Sequence, residues 1–312
     1  MAKVAVIGSG FVGRAWAISF ARAGCEVAIW DQDKEAPGKA RACIERLLPE
    51  LEANDLLNGA AANEVATRIR PATTLDSALE GTVHVQENTP EDVEVKRAVF
   101  ARLDAAAPPE AVLASSTSAI LPSAFTENLK GRARCLVIHP INPPYLIPAA
   151  EIVPAPWTDP LVVERAAKFL RSAGHAPIVM KRELDGFVMN RLQGALLEEA
   201  FRLVEQGYAG VEDVDVGIRE GLALRWSFMG PFETIDLNAA GGVADYAARL
   251  GPLIHEIARS RTHDEPWSQE LIGKVEAERR QLLSQDALPG RRAWRDRCLM
   301  ALAAEREKEP ER

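Results

Sequence analysis

The stretch VAVIGSGFVGRAWA, residues 4–17, decides how the first half of the chain is to be read. An apolar run ends at Ile7, three glycines (Gly8, Gly10 and Gly13) follow in GxGxxG spacing, and a helical pattern opens at Phe11. Alone, the glycine spacing is a weak signal. Between a strand and a helix it acquires a mechanism: Gly8 permits the tight turn, Gly10 lets backbone approach a pyrophosphate, and Gly13 allows close helix–strand packing. With Phe11 and Val12 completing the loop, the helix start offers free N–H groups and a positive dipole end to phosphates.

The second apolar run, EVAIW (26–30), ends on Asp31, eighteen residues after Gly13. A carboxylate there accepts hydrogen bonds from a ribose 2′-hydroxyl and repels a 2′-phosphate. No arginine follows at once, so the expected cofactor is NAD rather than NADP.

Outward from this signature, apolar runs alternate with helical stretches: VHVQE (83–87), AVLAS (111–115), RCLVIH (134–139) and APIVM (176–180). Such alternation predicts a parallel sheet with helices on both faces. Residues 34–68, rich in Ala, Glu, Arg and Leu, predict an inserted helical pair. After Gly186 the strand signal fades and amphipathic helices take over. In GFVMNRLQGALLEEAFRLVEQG, Arg191, Glu198, Arg202 and Glu205 share one face and Phe187, Leu197 and Phe201 another, with Gly207 as C-cap. The expected fold class is α/β: a dinucleotide-binding domain over 1–185, then an all-helical domain over 186–312 serving substrate and dimer contacts, with the charged EREKEPER end frayed.

The 312 residues suffice for two domains, and 47% hydrophobic with 26% charged is a globular composition. A net charge of −8 argues against a nucleic-acid surface or an anionic membrane as partner. No apolar stretch approaches the ~20 residues that span a bilayer. MAKVAVIGSG opens directly on a strand with no signal-like segment ahead, so the cytoplasm is the expected compartment. Cys25, Cys43, Cys135 and Cys298 form no metal-binding spacing, and reduced structural thiols are expected, Cys135 within the core.

HPINPPYLIPAAE, residues 139–151, sets a histidine and a glutamate at the ends of a proline-studded excursion. His139 closes an apolar run, and ligands of open α/β sheets bind outside the carboxyl ends of strands. Should the two flanking strands lie side by side, Glu151 would bond Nδ1–H, fix the tautomer and leave Nε2 free to take a proton. A structural histidine and a surface glutamate would share this spacing.

The chain resembles the 3-hydroxyacyl-CoA dehydrogenase superfamily, most closely its λ-crystallin/L-gulonate 3-dehydrogenase branch. The motifs carrying the likeness span nearly the whole sequence: GSGFVGRAWA, VQENTPEDVEVKR, SSTSAI, HPINPPYLIPAAEIVP, GFVMNRLQ, MGPFETIDLN and RRAWRDRCLMALA. The resemblance implies a Rossmann domain, NAD as cofactor, a homodimer, His139 as general base and Glu151 as its orienting partner. It implies that Ser118 bonds the reacting oxygen of the substrate and that Asn142 lies beside nicotinamide and His139. Asn190 would reach the site from the first C-terminal helix, and Glu87 and Lys96 would lie near the nicotinamide end. Read on residue type alone, Ser118 is equally a helix cap, Asn190 equally bonds a helix-end carbonyl, and Lys96 is a solvated helix charge.

Where the acyl-CoA enzymes have aromatic residues after the histidine, this chain has Pro140 and Ile141, which favours a small 3-hydroxy acid, gulonate- or carnitine-like, over an acyl-CoA. A free carboxylate wants a cation, and Arg225, in GLALRWSFMGPFE, is the candidate because a guanidinium among apolar residues needs a partner. Two non-enzyme readings, a crystallin-like structural protein and a nucleotide sensor, would let the His–Glu pair decay.

Overall fold

The computed structural model describes residues 1–260 and 266–306. They fall into two compact units: Met1–Asn190 with the segment from Ala293 onward, and Arg191–Arg292. The expected boundary at 185 rests on composition; by compactness the first unit also takes in the end of the last helix.

In the first unit, eight strands form one sheet: β1 (Lys3–Ile7), β2 (Glu26–Trp30), β3 (Ile69–Pro71), β4 (His84–Glu87), β5 (Val112–Ser115), β6 (Cys135–Pro140), β7 (Ala149–Pro154) and β8 (Ala176–Val179). Their order is β3-β2-β1-β4-β5-β6-β7-β8, so the winding direction reverses between β1 and β4. Val4, Ala5, Val6 and Ile7 are all fully buried, as a central strand covered on both faces must be. Burial of each larger aliphatic side chain there stabilises the fold by roughly 1.5–3 kcal/mol. Two strands depart from the expected parallel sheet: β7 runs antiparallel to β6, pairing His139 with Glu151, and β8 runs parallel to β7, so both oppose β1–β6.

The helices of this unit are α1 (Phe11–Arg22), α2 (Ala36–Ala53), α3 (Ala62–Thr67), α4 (Leu75–Leu79), α5 (Val93–Ala106), α6 (Pro122–Thr126) and α7 (Pro160–Ser172). α2 and α3 are the inserted pair. Asp92 caps α5 by accepting from the N–H of Glu94 and Val95, which places the acidic VQENTPEDVEVKR turn directly beyond β4.

The second unit contains no strand among its described residues. It comprises α8 (Met189–Glu205, from Arg191 on), α9 (Val211–Val216), a π-helical segment Gly217–Leu222, α10 (Ala223–Trp226), α11 (Pro231–Leu237), α12 (Gly242–Ser260), α13 (Gln269–Leu282) and the start of α14 (Leu288–Arg306). The ring of Phe201 stacks on Trp267 at 3.9 Å, and Arg202 donates to the Ser260 carbonyl at 2.6 Å. The expected faces of α8 are partly reversed: Arg202 is buried and Leu197 exposed, because the guanidinium ties the end of α12. Glu305 and Arg306 form the last turn of α14, and the rest of the charged end, 307–312, lies outside the described residues.

Among the described residues no helix is long and apolar enough to cross a membrane, and no group of three or more His, Cys, Asp or Glu is placed to hold a metal ion.

Two histidines are locked in the core of the first unit. His84 lies against Phe20 and Phe169, and His175 against Trp16. Burial lowers the pKa of each to about 4. Both are therefore neutral when folded, while unfolded they take a proton near pH 6.5. Between about pH 6.5 and pH 4 the unfolded chain binds more protons, so stability rises with pH across that window and is lost on acidification. The expected loss by pH 4 is on the order of 3 kcal/mol per histidine. Urea unfolding followed from pH 7.5 down to 4.5 checks this; a midpoint flat across the window would overturn it.

Candidate active site

At the β1–α1 turn, Gly8 has φ +89°, and a Cβ there would stand 2.7 Å from the carbonyl oxygen of Asn88. At Gly13 an added Cβ would lie 2.0 Å from the Gly8 carbonyl oxygen, so both positions exclude any side chain. Gly10 differs: a Cβ there meets nothing within 4 Å, and no side chain caps the start of α1. Uncapped N–H groups facing open space at the point where strand order reverses suit a pyrophosphate.

Asp31 closes β2 beside this turn. Its Oδ2 accepts from Ser9 N–H at 2.7 Å and Ser9 Oγ at 2.8 Å, and its Oδ1 accepts from Asp33 N–H. The carboxylate is pinned with lone pairs to spare for ribose hydroxyls. A cleft lined by Trp30, Asp31, Gln32 and Arg102 adjoins it, with the Arg102 guanidinium 5.2 Å above the Trp30 ring. This donor set fits a dinucleotide lacking a 2′-phosphate.

The antiparallel β6–β7 pairing brings His139 Nδ1 to 2.6 Å from Glu151 Oε2. The proline excursion between them is stapled down by Tyr145 and Leu146, which enter the core. Glu151 is fully buried, and its second oxygen, Oε1, accepts from the N–H groups of Val188 (2.6 Å) and Met189 (2.9 Å). Just before them, Gly186 and Phe187 both have positive φ, +76° and +52°. A phenylalanine in the left-handed region is uncommon and costs energy, and here it leads into the two N–H groups bound to the carboxylate. Burial raises the pKa of Glu151, but the bonds from His139, Met189 and Val188 outweigh it and the net shift is downward. The carboxylate is ionised, so Nδ1 must donate and Nε2 is left as the acceptor.

From Met189 the chain enters α8, and the next residue, Asn190, donates from Nδ2 to the Ser118 carbonyl at 2.7 Å. Ser118 N–H in turn donates to Glu91 Oε1 at 3.0 Å. His139, Glu151, Asn190 and Ser118 are thus linked through hydrogen bonds and the 188–190 backbone. Ser118 is exposed, its hydroxyl free to meet a ligand. The amide of Asn190 bonds a loop carbonyl rather than the helix-end carbonyl weighed on sequence grounds. Asn142 stands exposed three residues beyond His139; among the described residues no hydrogen bond ties it to the others.

Lys96, paired with Glu87, stands differently from the solvated charge that residue type alone suggested. Both are buried and face each other, Nζ to Oε2 at 3.1 Å. Glu87 also accepts from Ser115 Oγ at 2.5 Å and from the N–H and hydroxyl of Thr89. The pair braces the loop from beneath, and Lys96 is no solvated helix charge. Glu91 went unread in the sequence. Its Oε1 accepts from Ser118 N–H, Ala119 N–H and the Thr117 hydroxyl, which fixes the Ser118 loop. No sequence signal marked it: an acid just ahead of a helix start looks like any other.

In the second unit, Arg225 is exposed on α10 between the exposed Leu224 and Trp226, not buried as its apolar neighbours suggested.

A switch-point crevice, an open glycine turn and a pinned acid just after β2 define a dinucleotide-binding protein. Residues 3–183 match the 3-hydroxyacyl-CoA dehydrogenase NAD binding domain and residues 186–279 the 3-hydroxyacyl-CoA dehydrogenase C-terminal domain. The chain belongs to the 3-hydroxyacyl-CoA dehydrogenase family and is an NAD-dependent oxidoreductase acting on CH–OH groups. It is 41% identical over 303 residues to the λ-crystallin homolog of Bos taurus, covering 96% of this chain and 94% of that one. It is 40% identical over 251 residues to an L-carnitine dehydrogenase of Streptomyces griseus, covering 80% and 74%. Among solved structures it is similar to 5-formyl-3-hydroxy-2-methylpyridine 4-carboxylic acid 5-dehydrogenase, an NAD+-dependent dismutase, with a TM-score of 0.83 at 26% identity over 99% of this chain and 100% of that one.

Proposed function

We propose that the protein oxidises a small 3-hydroxy acid of the L-gulonate or L-carnitine type, with His139 as general base and Glu151 as its orienting partner. The observation carrying this reading is the 2.6 Å bond from Nδ1 to an ionised, doubly anchored Glu151. That bond leaves Nε2 to take the hydroxyl proton, and the carboxylate offsets the imidazolium charge that results. Bound NAD supplies the acceptor for the hydride leaving the same carbon. The Ser118 hydroxyl, on a loop held by Glu91 and Asn190, bonds the reacting oxygen. Arg225, from the same subunit or from the second copy of a dimer, is the candidate to take the carboxylate of the substrate.

A free carboxylate is favoured over an acyl-CoA by Pro140 and Ile141 after the histidine and by the 40% identity to an L-carnitine dehydrogenase. The test is NADH formation with L-gulonate, L-carnitine, 3-hydroxybutyrate and 3-hydroxybutyryl-CoA. Turnover of a free acid, with KM raised at least about tenfold by Arg225→Met, is expected. Turnover of the thioester alone would overturn the substrate class, and an unchanged KM would overturn the role of Arg225.

A homodimer is part of the same proposal. Leu250, Leu253, Ile254 and Ile257 make an exposed apolar stripe along α12 at helical spacing. Sedimentation at twice the monomer mass is expected, and a monomer at micromolar concentration would contradict it.

A further inference from the structure

Beneath the crevice lies a buried polar network that the proposed chemistry does not use. β5 pairs with β6 only as far as Ser115 and Val137, so the ladder ends one residue short of the Ile138–His139 peptide. Gln86, fully buried on β4 two strands away, reaches across. Its Nε2 donates to the Ile138 carbonyl at 3.2 Å and to Ser116 Oγ at 2.7 Å.

The roles are forced. A carbonyl only accepts, so the amino end of Gln86 faces Ile138 and its oxygen faces His84 Nε2 at 2.9 Å. His84 must then donate from Nε2, which agrees with its neutral state and with Nδ1 lacking a partner. Ser116 Oγ also accepts from Trp16 Nε1 and donates to Asn88 Oδ1, and Asn88 Nδ2 donates to the backbone carbonyl of Gln86. The ends of β4, β5 and β6 are joined in this way just under the site.

An aliphatic side chain at 86 would pack in this core with no desolvation penalty, whereas an amide and an imidazole are tolerated only when satisfied. We infer that Gln86 is a positioning residue for His139: oriented by His84 and Ser116, it holds the carbonyl of the residue before the histidine where β5 has stopped supporting β6. The inference rests on His139 being the base. Small displacements of a catalytic base are costly, since a misplacement near 1 Å can reduce rate by ~10²-fold.

The test compares Gln86→Leu with the double variant His84→Leu/Gln86→Leu, using L-gulonate, or L-carnitine where it turns over faster. Gln86→Leu alone strands the His84 N–H and the Ile138 carbonyl and lowers the melting temperature; removing His84 as well restores the part due to the stranded N–H. The expected kcat is about tenfold down in both variants, with KM for NAD+ within about twofold of wild type. A kcat that recovers together with the melting temperature would make the network merely structural and overturn the inference, as would a wild-type kcat in Gln86→Leu. A rise in KM for NAD+ matching the fall in kcat would do the same. His139→Ala is run alongside: its retaining a wild-type rate overturns the base assignment, whereas an inactive His139→Ala beside a fully active Gln86→Leu overturns only the role of Gln86.

Discussion

Glu151→Gln is expected to lower kcat by about three to four orders of magnitude while leaving NAD binding intact. The loss follows from the anchoring of the carboxylate. Its Oε1 accepts from Val188 and Met189 N–H, so the carbonyl end of a glutamine must occupy that place. The amino end then points at His139 Nδ1, which must accept. A neutral imidazole accepting at Nδ1 carries its proton on Nε2, the nitrogen meant to take the substrate proton. The side chain keeps its shape and the base becomes a donor. The imidazolium also loses its counter-charge, which deepens the defect. Steady-state NADH formation measures the rate and quenching of tryptophan fluorescence by NAD+ the binding. A variant keeping more than about a tenth of wild-type kcat would mean that Nε2 is not the proton acceptor.

How much of this was legible in the sequence depended on whether a residue acts through its neighbours in the chain or through space. The glycine turn, Asp31 and the central strands act locally, and aliphatic runs such as Lys3–Ile7 and Glu26–Trp30 gave their bounds directly. β3 was missed because three residues with one buried side chain leave no pattern to read. The pairing of His139 with Glu151 could be conceived from the prolines between them, but the antiparallel course of β7 could not be told from its apolar run. Glu91 and Gln86 were invisible for the same reason. The first looks like any acid at a helix start and the second like any polar residue in a strand; their partners lie 27 and 52 residues on. Lys96 misled because a lysine in a charged helix is ordinarily solvated, and only the fold reveals a carboxylate waiting beneath it.

That lysine gives the largest expected stability effect. Lys96→Met is expected to cost about 3–5 kcal/mol, because it leaves the fully buried Glu87 carboxylate without its counter-charge. The Ser115 hydroxyl and the Thr89 groups remain as donors, but none carries charge. The double variant Glu87→Gln/Lys96→Met removes both charges, and the amide can still accept from Ser115 or Thr89. Most of the loss should therefore return, since a buried pair contributes little beyond its own desolvation. With two compact units the melting profile need not be two-state, so the first unit is best followed through Trp16 and Trp30. At about 2–4 °C per kcal/mol, Lys96→Met should melt roughly 10 °C earlier. Well below that temperature its kcat should stay near wild type, because the pair touches no reacting atom in the proposed chemistry. A stable Lys96→Met with a much raised KM for NAD+ would instead put the ammonium in contact with cofactor, as the family resemblance alone implied.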